Sequence, residues 1–301
     1  MNALALKILE LKKKKNAYIL AHNYQLPEIQ DVADFVSDSL GLARKAKEVE
    51  SPLIVLCGVY FMAETAKILN PDKKVLIPDI NASCPLACFA DEKMVLEWRK
   101  LYPDAAFVAY VNSTAKVKAL VDICCTSSNA VKVVNSLDAK RVVFLPDKNL
   151  GRYVKERVDK EVILWPGYCV VHENVNLDDV IQVKKKHPGA LIMAHPECPE
   201  EIVKIADGVC STGQMFDFVK QNENVKEFIV VTEWGINHAL KKMFPEKVFI
   251  EPKKRMECVN MKKITLEKLY NSLEKEVYEV SIDENISEKA RISIEKMLKL
   301  S

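Results

Sequence analysis

The chain repeats itself three times. The segments YILAHNY (18–24), FVAYVNS (107–113) and IMAHPEC (192–198) recur at intervals of 88 and 85 residues around a shared alanine. The same interval carries ADFVS to VDICC and ADGVC, LIVLCG to RVVFLPD and FIVVTE, and VLIPD to VILWP and VFIEP. A fixed period of this length is the mark of repeated supersecondary units. Each interval holds four strands, which argues against a simple linear solenoid. The strands are unbroken Val/Ile/Leu-rich runs separated by helical patterns, the composition of parallel sheets covered on both faces. Their crossovers should be right-handed. The expectation is an α/β protein of three homologous three-layer α/β/α units with parallel sheets, related by pseudo-threefold symmetry around a central active site. The units would cover residues 1–86, 87–171 and 172–260, with residues 261–301 as closing helices.

The polar residues of the repeat fall where such sheets bind ligands, just past the carboxyl ends of strands. His22, Tyr110 and His195 share one position; Tyr24, Asn112 and Glu197 share the position two residues later. The same offsets relate Ser39, Ser127 and Thr212. Each of these hydroxyls precedes a helical pattern and is a candidate N-cap; together they would aim three helix N-termini at one anionic ligand. Beyond the fourth strand of each unit stands a cysteine: Cys84, Cys169 and Cys258, spaced by 85 and 89 residues. Three equivalent thiolates around one centre suit a [4Fe–4S] cluster with one open iron that serves as a Lewis acid, or a zinc ion completed by water or histidine.

The other cysteines read differently. Cys57, Cys124, Cys125 and Cys210 lie inside strands and read as core. Cys88 forms C-x3-C with Cys84, but Asp91 stands where a radical-type motif needs a third thiol. Cys198 reads as structural. His172, three residues after Cys169, fits either support of the centre or contact with substrate, whereas His187 and His238 read as surface or structural. Glu197, the one carboxylate among the repeated polar residues, suits a general base or water-orienting role beside His195, with Tyr24 and Tyr110 able to exchange protons.

Bulk properties limit the alternatives. The 301 residues are 49% hydrophobic and 29% charged, and a formal charge of +2 leaves no nucleic-acid footprint. Lys12–Lys15 reads as a solvated helix end. No apolar run is long enough for a bilayer, and nine cysteines without an export signal point to a reducing cytoplasm. With eight glycines and no G-x-G-x-x-G after a strand, a nucleotide-dependent dehydrogenase is disfavoured. A non-catalytic metal-binding or redox-sensing protein would use the three cysteines but would not need the matched imidazole, carboxylate and hydroxyl sets.

The ordered motifs AHNYQ-x-P-E-x-QD-x-AD, DSL, NPDKKVLIPD, YVNST, TSSNAV, PDKNLG-x-YV, AHPECP, STGQM and C-x-NMKK-x-TLE, between about residues 16 and 268, resemble the quinolinate synthase family. The resemblance implies a triangle of three α/β domains and condensation of iminoaspartate (iminosuccinate) with dihydroxyacetone phosphate. Phosphate and water are lost, and the product is quinolinate, a precursor of NAD. It implies a [4Fe–4S] cluster on Cys84, Cys169 and Cys258. It also implies substrate contacts at His22, Tyr24, Ser39, Tyr110, Asn112, Ser127, His195, Glu197, Ser211 and Thr212, with His172 near the site. A functional link to an aspartate oxidase or dehydrogenase follows from the same resemblance. Some members carry C-x-x-C from the third ligand; Met261 takes the second place here, so redox control through that pair should be absent.

Overall fold

The computed structural model describes residues 3–301. After α1 (Ala3–Lys14), the first sheet contains β1 (Ala17–His22), β2 (Phe35–Ser37), β3 (Leu53–Cys57) and β4 (Lys74–Leu76), interleaved with α2 (Pro27–Val32), α3 (Ser39–Glu48) and α4 (Tyr60–Leu69). Following α5 (Glu92–Leu101), the second contains β5 (Ala106–Tyr110), β6 (Ile123–Cys125), β7 (Arg141–Leu145) and β8 (Glu161–Leu164), with α6 (Ala115–Lys118), α7 (Ala130–Asn135) and α8 (Lys148–Lys155). Then come α9 (Val170–Glu173) and α10 (Leu177–Lys186). The third sheet holds β9 (Leu191–Ala194), β10 (Gly208–Val209), β11 (Glu227–Val231) and β12 (Val248–Ile250), with α11 (Glu200–Ile205), α12 (Thr212–Gln221) and α13 (Ile236–Met243). Helices α14 (Leu266–Lys275) and α15 (Glu284–Lys299) finish the chain.

All three sheets have the strand order second–first–third–fourth, and every pairing is parallel. The three α/β/α units read from the repeat are therefore present. The central pair of each sheet, first and third strands, is buried nearly throughout, which accounts for their unbroken apolar sequence.

Polar residues of the repeat hold the same joints in each unit. The aspartate that opens the second-strand motif accepts the backbone N–H of the first strand: Asp34 from Ile19 at 2.8 Å, Asp122 from Phe107 at 2.7 Å, Asp207 from Ile192 at 2.8 Å. The amide of each aspartate donates back to the carbonyl of that same strand residue. A lysine just before the fourth strand does a second job. Lys73 reaches the carbonyl of Val49, Lys160 those of Leu137 and Ala139, and Lys247 those of Glu223 and Val225. These carbonyls lie beyond the end of the preceding crossover helix and would otherwise lack a partner.

The units do not share burial equally. One continuous core runs through the first two sheets and takes in Leu269, Leu273, Ile294 and Met297 of the C-terminal helices. Helix α14 packs on α1, whereas α15 packs on β6, α6 and α4, so it closes the gap between the first two units. The third sheet has separate apolar clusters on its two sides. Cys57, Cys124, Cys125, Cys198 and Cys210 are buried, and no cysteine among the described residues is in a disulfide. No helix among the described residues is long and apolar enough to cross a membrane.

Asp122→Ala should leave the Phe107 amide without its side-chain partner and cost about 1–3 kcal/mol. Urea unfolding should report the loss as a lower midpoint.

Candidate functional site

The carboxyl ends of the three sheets converge on one cavity, which with its mouth holds about 640 Å³ of space between atoms. His22, Tyr24, Ser39 and Cys84 enter it from the first unit; Tyr110, Asn112, Ser127 and Cys169 from the second. The third unit contributes His172, His195, Glu197, Thr212 and Cys258. Val59, Phe61, Met62, Val171 and Met261 supply apolar wall. All the residues singled out in the sequence therefore meet here except Ser211.

Ser211 has a different task, and it corrects the capping expectation. Its side chain accepts the Gln214 amide at 3.3 Å as the N-cap of α12, completed by Gln214 Oε1 on the Ser211 amide at 2.9 Å. Asp38 likewise caps α3, accepting the Gly41 amide at 2.8 Å. Ser39 and Thr212 thus occupy the first helical position rather than the cap. Ser127 lies in the turn before α7, whose cap position is Asn129. Adjacent Asp-Ser and Ser-Thr pairs each offer two good caps, and the first of each pair takes the role. The hydroxyls beside them are left for the cavity.

One backbone bond places all three cysteines. The amide three residues after the end of the third strand donates to the carbonyl two residues before the cysteine. The pairs are Tyr60 to Ala82 at 2.8 Å, Lys148 to Gly167 at 2.7 Å and Trp234 to Met256 at 3.0 Å. Gly167 is required there, since a β-carbon would collide with the Pro146 carbonyl and the Phe89 side chain. Trp165, fully buried, ties the first two ligand loops together. Its Nε1–H donates to the Phe89 carbonyl at 2.7 Å, and its ring lies 4.4 Å from that of Trp98.

Each cysteine opens a short helical turn, so amides follow it closely. Those of Leu86 and Ala87 favour a Cys84 thiolate, that of His172 a Cys169 thiolate, and those of Asn260 and Met261 a Cys258 thiolate. Burial acts first and in the opposite sense, pushing all three thiols up, Cys84 to about 12. Three unpaired thiols on one cavity, each faced by amides and disfavouring an uncompensated charge, fit a metal centre that replaces their protons. Ligand atoms of Cys169, His172 and Glu197 also lie within 4.8 Å of one another.

The imidazoles are oriented by the repeat. The Tyr24 amide donates to His22 Nδ1 at 3.1 Å, and the Glu197 amide to His195 Nδ1 at 3.3 Å. With Nδ1 accepting, Nε2 bears the proton in both rings. Burial, first, depresses both to about 3; His195 and Lys262 add to the effect at His22, and His172 at His195. Both are therefore neutral donors at physiological pH.

His172 stands at the centre of a chain that the sequence did not disclose. Its Nδ1 lies 2.7 Å from Glu197 Oε2 and 3.2 Å from Cys169 Sγ; its Nε2 lies 2.8 Å from Thr232 Oγ1. Tyr24 Oη is 2.5 Å from the same hydroxyl. If His172 Nδ1–H donates to Glu197, Nε2 must accept from Thr232, and Thr232 from Tyr24. Burial alone would raise the Glu197 carboxyl; the His195 and His172 imidazoles beside it and the His172 hydrogen bond act the other way and favour the carboxylate. Burial and then the Glu197 charge push both tyrosines up, so Tyr24 and Tyr110 stay protonated. Glu197 Oε1 and Asn112 Oδ1 are buried without a hydrogen-bond partner, two open places for a polar ligand.

Three further residues also escaped the sequence reading. Lys262 donates to the Tyr24 carbonyl and pairs with Glu233 at 2.8 Å, with Trp234 below it at 4.1 Å. Asp147 and Glu233 hold amides of the ligand loops. The signal available was their common place, two residues after the third strand.

Three parallel α/β units that bring paired imidazoles, an ionised carboxylate and three thiols to a shared cavity define a small-molecule enzyme with a metal-binding centre. A sequence model of the quinolinate synthetase A protein family matches residues 6–299, and the chain belongs to that family. Quinolinate synthase from Caldicellulosiruptor saccharolyticus is 50% identical over 293 residues, 97% of this chain and 96% of that protein. The enzyme of the same name from Dehalococcoides mccartyi strain CBDB1 is 51% identical over 294 residues (98% and 97%), and that from Clostridium perfringens strain SM101 48% over 295 residues (98% of both).

Because His22 and His195 are depressed in the fold, the unfolded chain binds more protons between about pH 3 and 6.5. Stability of the metal-free chain should fall as pH drops through that window, by up to about 1.4 kcal/mol per pH unit for each histidine. His22→Gln should flatten the slope of urea midpoint against pH.

Proposed function

We propose that the chain condenses iminoaspartate with dihydroxyacetone phosphate to give quinolinate in NAD biosynthesis, with loss of phosphate and water. The observation that supports this most directly is the convergence of three repeat-equivalent polar sets and three repeat-equivalent thiols on one cavity, in a chain of the quinolinate synthetase A family. Cys84, Cys169 and Cys258 would hold a [4Fe–4S] cluster, which supplies a Lewis-acidic iron without a protein thiolate. Iminoaspartate would come from a separate enzyme that oxidises aspartate.

The substrates together carry two carboxylates and a phosphate. Ser39 and Thr212, in the first turns of α3 and α12, meet such anions with a hydroxyl and a helix N-terminus, and Ser127 adds a third hydroxyl. The Nε2–H groups of His22 and His195 donate without adding charge. Asn112 offers a further polar contact. Glu197 is the base. Its Oε2 is engaged by His172, which leaves Oε1 to take a proton from carbon during enolisation. The chain passes protons from Tyr24 through Thr232 and His172 toward Glu197, so once Glu197 has given the proton it took from carbon to a departing hydroxyl, Tyr24 can restore it and itself take up one from substrate. Tyr110, beside Glu197, is a second protonated phenol for the departing hydroxyl.

Thr232→Val keeps the shape of the chain but breaks its hydrogen bonds. It should lower kcat by about 10²-fold with KM little changed, whereas Glu197→Gln should lose about 10²–10⁴-fold. Unaltered kcat in Thr232→Val would remove the relay. Protein prepared without oxygen should carry about four iron and four sulfide per chain and absorb as an iron–sulfur centre. Cys258→Ser should abolish that absorbance and the activity; Cys57→Ser should cost only about 1 kcal/mol of stability. A colourless, zinc-loaded and fully active preparation would overturn the cluster assignment.

A further inference from the structure

The three ligand loops are hooked alike but braced unequally. The position two residues after the third strand is Val59, Asp147 or Glu233 in the three units. Asp147 is fully buried; its Oδ2 accepts the Cys169 amide at 3.0 Å, while its Oδ1 accepts the Leu150 amide at 2.7 Å and caps α8. Glu233, also fully buried, accepts the Cys258 amide on Oε1 at 3.2 Å and the Gly235 amide on Oε2 at 2.8 Å. In both units the backbone hook and the carboxylate bond run in opposite directions, one into the ligand loop and one out of it. The pair fixes the cysteine's own backbone, not merely the loop before it. Valine at the first position can make no such bond, and α4 begins there without a side-chain cap. The Cys84 loop has the hook, the Asp79 carboxylate on the Asn81 amide at 2.8 Å and Trp165 on the Phe89 carbonyl, but no carboxylate from that position on the Cys84 amide itself.

We propose that Asp147 and Glu233 are positioning residues for the metal centre. They hold Cys169 and Cys258 in place before metal arrives, and Cys84 closes on it as the adjustable third ligand. This rests on the three cysteines being the ligands. A buried amide that loses its acceptor costs more than the net worth of the bond it made. Partners that orient ligands set affinity by 10–100-fold when lost.

Asp147→Asn is the incisive variant. Asparagine is an equally good N-cap, so its single oxygen can keep the Leu150 bond while its NH2 faces the Cys169 amide. Asp122→Asn, which alters an aspartate of comparable backbone duty away from the ligands, is the structural control. On the metal-free chain, hydrogen exchange should show the Cys169 amide losing at least about 10-fold protection in Asp147→Asn but not in Asp122→Asn, and the Cys84 amide should be fast in all three proteins. On anaerobic, iron-loaded protein, a chelator should strip iron about 10–100-fold faster from Asp147→Asn than from either other form. Wild-type protection at Cys169 in Asp147→Asn, or equal acceleration of iron loss by Asp122→Asn, overturns the proposal. The exchange measurement needs no metal, so it judges the brace by itself; iron and sulfide in the wild type judge the cluster reading separately.

Discussion

Everything at the centre of this molecule depends on a single backbone hydrogen bond made three times. An amide three residues past the third strand reaches the carbonyl two residues before a cysteine: Tyr60 to Ala82, Lys148 to Gly167, Trp234 to Met256. It ties the segment between the fourth strand and the cysteine to the end of the third strand. With it, each thiol is drawn back over the carboxyl end of its own sheet. Because the sheets are parallel and of identical order, the carboxyl ends also carry the imidazoles and hydroxyls, and all these groups arrive on the same side.

The repeated frame is symmetric, while the chemistry is not. At one position the units place His22, Tyr110 and His195; two residues on they place Tyr24, Asn112 and Glu197. The same turn geometry sets both imidazoles, through an amide bonded to Nδ1, yet one amide belongs to a tyrosine and the other to a carboxylate residue. Division of roles is achieved by side-chain exchange on a fixed backbone. Only the third unit carries a carboxylate there, and Thr232 and His172, which link it to Tyr24, stand in that unit alone.

This explains how far the sequence could be read. The strands, their parallel packing and the convergence of the repeated polar residues were legible because each appears three times. Thr232 and Lys262 were not, because they have no counterparts to betray them. Thr232 ends a run of β-branched residues and looks like one more strand former. Ser39, Thr212 and Ser211 were readable as a group but not in their division of labour. A cap shifts by one residue when two good caps are adjacent, and propensity does not say which will take it. Asp147 and Glu233 were within reach of the repeat, but valine in the first unit broke the pattern.

The division of the apolar core has a mechanical side. The first two units and the C-terminal helices are packed as one body, and the third unit is packed on its own clusters. The wall bearing Glu197 and Thr232 thus belongs to a different body from the wall bearing Tyr110. Much of what crosses between them is polar: Tyr24 to Thr232, Lys262 to Glu233 at 2.8 Å, Gln30 to the Gly235 carbonyl at 2.9 Å. Each bond of this kind contributes only about 0.5–1.5 kcal/mol net. A centre bound by Cys84, Cys169 and Cys258 together would therefore be a rivet through the seam as well as a reagent, and oxygen that destroyed it would loosen the joint along with the chemistry.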